Sequence, residues 1–230
     1  MCNRYHPARA QIIEAQWQLK PGKFYKPGIG PWGEGPFIRL KSAPVGASRE
    51  PELVVGTWAL IGDHDKKPIN RPRMRNNARV ESVATLRTYG GPWKRGQRCV
   101  IPAESYDEPN WESGKNEWWS LRRRDGEPWH LAGIWNTWTD TVTGEVFESY
   151  SMLTTNCDKH PLLRRFHKPE PDLAPDAQDK RAVVPIELAD LRSWLGGSID
   201  DALALVRLPP VEAFEAAPTQ PSTATGVTRG

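Results

Sequence analysis

Five short apolar runs, rich in β-branched and aromatic residues, dominate the middle of this 230-residue chain. They cover residues 53–61, 98–103, 117–122, 129–138 and 146–155. Runs of this length and composition, separated by turn-forming residues, are typical of β-strands. Helical periodicity is confined to short stretches. The pattern therefore predicts an α+β fold: a single domain with a mostly antiparallel, barrel-like β core and a few peripheral helices.

The helix signals lie at the two ends of this core. Residues 7–19 place Ala10, Ile13 and Trp17 on one face and carry Pro7 in a first-turn position, which predicts an amphipathic helix. Near the other end, residues 182–197 predict a strand followed by a helix that stops at a glycine, and a Ser cap predicts one more helix. The residues behind these last predictions are Leu188, Leu191 and Leu195 on one face, Gly196 as the stop, and Ser198 with Asp201 as the cap.

Domain organisation follows from composition. Residues 1–208 are expected to form the single domain, whereas residues 209–230, rich in Pro, Thr and Ala, predict a disordered tail. The mean hydropathy is −0.63, and no apolar run is long enough to cross a membrane. The first ten residues lack the apolar core of a secretory signal, so a cytoplasmic location is expected. The protein is also expected to be a monomer.

The positive charge is concentrated in one segment. Residues 66–79 contain six basic residues and no acidic one. The segment carries +6, so the rest of the chain carries −3 of a total of +3. Such a loop is an electrostatic footprint for phosphates, although a solvated charged loop remains the alternative.

Of the three cysteines, Cys2 has the most distinctive position. Once Met1 is removed, Cys2 carries an α-amine with a pKa of about 7.7 to 8 and a thiol with a pKa near 8.5 on adjacent carbons. This 1,2-aminothiol condenses with an aldehyde to an imine and then closes to a thiazolidine. Cys99 and Cys157 lie in strand-like runs and are interpreted as small buried residues. No cysteine or histidine spacing indicates zinc, and no cofactor is expected.

Four separated motifs carry a resemblance to a known family. They are MCNRY (1–5), NARVES (77–82), RCVIPAESYDEP (98–109), and TTNCDKHPLLRRFHKP (154–169) followed by KRAVVPI (180–186). In this order they resemble the SOS response-associated peptidase family, the abasic-site processing proteins, from residue 1 to about 205. The resemblance implies that a processed N-terminal cysteine forms a thiazolidine with the ring-opened aldehyde of an abasic site in single-stranded DNA. It also implies a nucleoid association when the protein is bound to DNA.

The resemblance implies four catalytic residues. Cys2 is the nucleophile that forms the crosslink, Asn77 holds the N-terminal amine and the sugar, and Glu108 and His167 transfer protons. Two alternatives stay open at this point. His160 competes with His167, and Glu108 can instead be a surface carboxylate in a Pro-rich turn.

The same resemblance implies DNA contacts. Arg4 and Arg79 match phosphate-binding arginines, Arg75 belongs to the basic segment, and Trp93 is a candidate for base stacking. Residues 168–179 are an insertion relative to the family pattern. Three other functions remain as alternatives: a thiol peptidase acting on proteins, a slower lyase acting through the imine, and a non-covalent single-stranded DNA binder.

Overall fold

The computed structural model of the protein describes residues 2–42, 49–66, 74–174 and 176–219. The strands within these ranges are β1 (Tyr5–Pro7), β2 (Glu34–Leu40), β3 (Pro51–Trp58), β4 (Asn77–Arg79), β5 (Arg98–Asn110), β6 (Glu117–Arg123), β7 (Trp129–Thr139), β8 (Val146–Asn156), β9 (Arg181–Val183) and β10 (Phe214–Pro218). The helices are α1 (Ala10–Trp17), α2 (Gly90–Lys94), α3 (Leu191–Gly196) and α4 (Ile199–Ala204), with 3-10 turns at Leu163–Arg165, Leu188–Asp190 and Val211–Ala213. None of the helices in the described part is long and apolar enough to span a membrane.

Five strands close into a barrel. Around the ring, β5 pairs with β2, β2 with β3, β3 with β8, β8 with β7, and β7 again with β5. Only the β3–β8 pairing of this ring is parallel. The predicted α+β class, with a mostly antiparallel, barrel-like core and few helices, is confirmed.

Strand β5 continues beyond the barrel and carries the candidate site. Its first half, Arg98 to Ala103, pairs with β7, and its second half, Tyr106 to Asn110, pairs with β6. Strand β1 pairs with the middle of β5, with Tyr5 opposite Tyr106. The N-terminal residues are therefore held against the same part of β5 that carries the second half of the IPAESYDEP motif.

A close aromatic contact fixes β1 to the barrel. The hydroxyls of Tyr5 and Tyr150 are hydrogen-bonded at 2.5 Å, and the Tyr5 ring packs edge-on against Trp58 with centroids 5.0 Å apart. Both hydroxyls lie over Gly35 in β2, where a Cβ atom would overlap them. Glycine is required here because the two hydroxyls occupy the space of a side chain.

Several expected boundaries change in the structure. Strand β5 runs to Asn110 rather than ending at residue 103, since polar residues continue its pairing with β6. Pro7 ends β1 instead of opening a helix, because the next residue, Ala8, donates its N–H to Pro102 of β5. Helix α1 then covers Ala10–Trp17.

The C-terminal helices follow the sequence prediction only in part. Helix α3 ends at Gly196 as predicted, and Leu191 and Leu195 are buried, but Leu188 lies in the preceding 3-10 turn and is exposed. The Ser198 cap is confirmed: its hydroxyl accepts from the backbone N–H of Asp201, and the Asp201 carboxylate accepts from the Ser198 N–H.

The prediction of a disordered tail from residue 209 is wrong for residues 209–219. Strand β10 pairs with β6 over its whole length, and Phe214 is 2% exposed. The Phe214 ring packs against Trp129, with centroids 5.1 Å apart. Residues 220–230 lie outside the described part of the chain. One buried aromatic residue and the unpaired edge of β6 are enough to order a segment of polar, Pro-rich composition.

Candidate active site

Cys2 lies in a buried position just before β1. The residue is 1% exposed, and its thiol donates to the carbonyl of Arg4, with 3.3 Å between sulfur and oxygen. Burial, and next the charge of Glu108, raise the pKa of the Cys2 thiol well above its ordinary value. The shift favours the protonated thiol in the folded protein, and a neighbouring base lowers the cost of removing that proton.

Two adjacent asparagines hold the Cys2 backbone. The carbonyl oxygen of Cys2 accepts from Nδ2 of Asn77 at 2.6 Å and from Nδ2 of Asn76 at 3.1 Å. The backbone of Asn76 is fixed in turn, since its carbonyl accepts from the indole N–H of Trp58 at 2.8 Å. Sequence reasoning found Asn77 and missed Asn76. The repeated Asn before the Ala-Arg of the motif is the only local signal for it.

Glu108 and His167 meet beside this position. The Nε2 atom of His167 lies 3.0 Å from Oε2 of Glu108, and the side chains are 18% and 4% exposed. The His167 backbone is fixed by its N–H, which donates to the carbonyl of Pro109 at 2.6 Å, and by Nζ of Lys180, which donates to its carbonyl. Because Glu108 is a buried residue of β5, the alternative of a surface carboxylate in a turn is wrong.

His160 has a different environment. Its Nδ1 atom accepts from the backbone N–H groups of Leu162 and Leu163, at 3.2 and 3.1 Å, and its Nε2 atom lies 2.8 Å from the carbonyl of Pro209. An imidazole with this pattern carries its proton on Nε2 and stabilises a turn. Of the two candidate histidines, His167 is the one that lies beside Glu108.

The other two thiols are buried, as the sequence indicated. Cys99 lies in β5 and is inaccessible. Cys157 directly follows β8 and is 2% exposed. Burial, and next the charge of Glu108, raise the pKa of Cys157 to about 12. Burial thus favours the protonated form of both thiols.

Two of the four predicted DNA-binding residues are accessible. The Arg4 side chain is 55% exposed, with Nε 3.3 Å from Oδ2 of Asp107. The Arg79 side chain is 51% exposed, with Nη1 2.9 Å from Oδ2 of Asp179. Each arginine lies close in sequence to a residue of the candidate site, Arg4 to Cys2 and Arg79 to Asn77. Both guanidinium groups reach solvent, and each is ion-paired with an aspartate.

The other two are not accessible. Trp93 is 1% exposed and packs against Trp194, with ring centroids 6.4 Å apart, so it has no free face for a base. Arg75 is buried and ion-paired with Asp65. The predictions that Trp93 and Arg75 bind DNA are corrected, because packing commits both side chains to the core. Half of the basic segment, residues 67–73, lies outside the described residues.

Comparisons with known proteins agree on the family and the fold. The family model described as SOS response associated peptidase (SRAP) matches residues 1–223. A curated relative, "Abasic site processing protein HMCES" of Gallus gallus, is 22% identical over 179 residues, covering 67% of this chain and 53% of the relative. The chain thus spans about half the length of that curated relative.

Solved structures resemble nearly the whole chain. A protein from Bordetella bronchiseptica is 28% identical, with a TM-score of 0.81 over 95% of this chain and 100% of its own. A protein from Bacteroides thetaiotaomicron is 19% identical, with a TM-score of 0.73 over 95% and 92% of the two chains. Because the protein from Bacteroides thetaiotaomicron is only 19% identical to this chain, its similarity shows the fold alone.

Proposed function

The chain belongs to the SOS response associated peptidase family, and on this premise we propose that it captures abasic sites in single-stranded DNA through a covalent bond to Cys2. The observation that carries the proposal is the arrangement around Cys2. The carbonyl of Cys2 accepts hydrogen bonds from the side-chain amides of Asn76 and Asn77. Its thiol is buried, and the charge of Glu108, which lies beside His167, contributes to the raised pKa of this thiol.

The proposed reaction starts after hydrolytic removal of Met1. The α-amine of Cys2 adds to the aldehyde carbon of the ring-opened sugar, and a water molecule leaves as the imine forms. The Cys2 sulfur then adds to the imine carbon while its proton is transferred to the nitrogen. The product is a thiazolidine, and one water molecule is released in total. Addition of water reverses both steps and frees the DNA.

The residues around Cys2 are suited to the proton transfers. Glu108 accepts the thiol proton, which the raised pKa of Cys2 makes necessary, and returns it to the imine nitrogen. His167 lies within hydrogen-bonding distance of Glu108. Because it is the more exposed of the two residues, it moves a proton between the sugar ring oxygen and solvent. Asn76 and Asn77 keep the reacting residue in one position.

DNA positioning is assigned to the accessible arginines. Arg4 and Arg79 bind phosphates flanking the abasic site, so that the aldehyde reaches Cys2. Their present partners, Asp107 and Asp179, orient the guanidinium groups in the absence of DNA. Phosphate contacts of this kind position a strand without reading its sequence, and the proposed ligand is accordingly defined by its lesion.

Intact mass spectrometry tests the proposal directly. The protein is incubated with a single-stranded oligonucleotide that carries one abasic site, and with the same oligonucleotide lacking it. The expected species has lost Met1 and gained the mass of the oligonucleotide minus one water. Cys2→Ala and Cys2→Ser keep the α-amine but lack the thiol, so each is expected to form only an imine that borohydride traps, whereas Cys157→Ala is expected to form the normal adduct. A heat-stable adduct with Cys2→Ala would refute the mechanism.

A further inference from the structure

A cavity lies at the start of β5, at the opposite end of this strand from Glu108. Its volume is about 280 Å³, and its lining includes the end of β2, the start of β5, the middle of β7 and the end of α3. Its charged lining residues are Lys41, Arg49, Arg95 and Arg98. None of the described lining residues is acidic, and Trp135 forms part of the wall. We call this space the Arg98 cavity.

Arg98 is built into the fold. The residue is 3% exposed, and its Nε donates to the carbonyl of Trp194, while Nη2 donates to the carbonyl of Gly197. These carbonyls lie at the C-terminal end of α3, where cations stabilise unpaired backbone oxygens. Among the described residues, Nη1 of Arg98 has no hydrogen-bonding partner, so one donor of a rigid, buried guanidinium remains available.

The positive charges of the cavity are only partly balanced. Arg95 is paired with Asp63 through Nη1 at 2.9 Å. Lys41 and Arg49 form no ion pair with any described residue. Burial, and then the nearby charge of Arg49, lower the pKa of Arg98. Asp201 opposes this effect, but its carboxylate is engaged by Ser198 at the start of α4.

We propose that the Arg98 cavity binds a phosphate group. Lys41 and Arg49 at the rim, which pair with no acidic residue in the described part of the chain, and the buried guanidinium of Arg98 at the wall supply charge-assisted donors, the arrangement that phosphate oxygens prefer. A bound anion also removes the repulsion between Arg49 and Arg98. The volume admits a phosphate with part of an attached nucleotide, and the Trp135 side chain offers an aromatic surface next to it.

The site is separate from the one at Cys2. Nine residues of β5 lie between Arg98 and Glu108, and the ten residue steps that separate them correspond to about 33 Å in an extended strand. The phosphate can belong to a small free ligand or to the backbone of a bound DNA strand. The shared chemistry is the phosphate group, and the two sources are separated by experiment.

Isothermal titration calorimetry of the full chain tests the proposal with three probes: inorganic phosphate, a nucleoside monophosphate, and a single-stranded oligonucleotide without an abasic site. The test variant is Lys41→Ala combined with Arg49→Ala, because both side chains are exposed and their loss spares the core. At least one probe is expected to bind the parent protein saturably and to lose about tenfold or more in affinity in the variant.

A control variant of equal charge, Lys26→Ala with Lys115→Ala, changes two exposed lysines outside the cavity. It is expected to retain the affinity. Loss for inorganic phosphate or the monophosphate identifies a small ligand, and loss for the oligonucleotide alone identifies the DNA backbone. Absence of saturable binding by all three probes, or equal losses in both variants, would overturn the proposal. Adduct formation by Cys2 is measured separately and does not enter this test.

Discussion

The imidazole Nε2 of His167 and the carboxylate Oε2 of Glu108 are 3.0 Å apart, although their residues come from a loop and a strand far apart in sequence. The contact depends on the hydrogen bond from the backbone N–H of His167 to the carbonyl of Pro109, which aligns the loop with the end of β5. The pair lies next to a thiol whose pKa is raised. In the proposed mechanism Glu108 accepts the proton of the Cys2 thiol, and this role determines the effect expected of its substitution.

Glu108→Gln is expected to slow formation of the adduct by about 100-fold, since general acid–base catalysis typically contributes 10²–10⁴ in rate. The amide preserves the shape of the side chain but cannot accept the thiol proton. Rates are measured by denaturing gels of the crosslinked oligonucleotide, and binding by fluorescence anisotropy. Glu145→Gln, on an exposed turn, is the matched control. Unchanged rates of formation and reversal would assign Glu108 a structural role.

Asn77→Ala is expected to reduce the crosslinking rate about tenfold, which corresponds to about 1.4 kcal/mol, the size of one well-formed hydrogen bond. The change removes the 2.6 Å bond to the Cys2 carbonyl. The melting temperature and the crosslinking rate are measured together, with Asn116→Ala in an exposed loop as the control. A parallel loss of stability that accounts for the whole rate change would argue against a positioning role.

Protonation of His130 is expected to lower the free energy of unfolding of the protein at acidic pH. Burial, and then Arg123, lower the pKa of His130 from 6.5 to about 4. Between these values the unfolded state binds a proton that the folded state does not, so the free energy of unfolding falls as the pH falls from 6.5 to 4. The loss is at most about 3 kcal/mol, at about 1.4 kcal/mol for each pH unit. Urea unfolding at several pH values measures it, and a His130→Gln variant with the same slope would contradict it.

Truncation should distinguish the ordered part of the C-terminal segment from the rest. A chain that ends at Leu208 lacks β10 and the buried Phe214, and it is expected to lose at least about 3 kcal/mol, the lower end of the cost of deleting a buried aromatic side chain. A chain that ends at Thr219 retains both. Unfolding midpoints in urea compare the two, and equal midpoints would show that β10 contributes nothing to stability.

The core of the fold was predictable because strand periodicity is a local property. The five apolar runs correspond to β3, β5, β6, β7 and β8, with the main error at the end of β5. There the buried residues are polar, Asp107 and Glu108 among them, so no apolar alternation marks them as strand. Strand β10 was also not predicted, because it is ordered by pairing with β6, and the local sequence does not reveal this pairing.

The site residues that belong to sequence motifs were predictable, whereas those whose accessibility depends on packing were not. Cys2 and Asn77 were named from motifs, and the structure brings them into contact. Trp93 and Arg75 were named from residue type, but burial places one in the core and the other in an ion pair. Accessibility is a property of the assembled fold, and residue chemistry alone does not determine it.

The close packing at Gly35 has a genetic consequence. The two tyrosine hydroxyls above it belong to β1 and β8, and Tyr5 leads directly back to Cys2. An allele that encodes alanine at position 35 would displace Tyr5 and with it the reactive end of the chain. Such an allele would behave as a loss-of-function mutation while every catalytic side chain is still encoded. Screens for inactive variants would therefore be expected to recover position 35 alongside the residues that perform the chemistry.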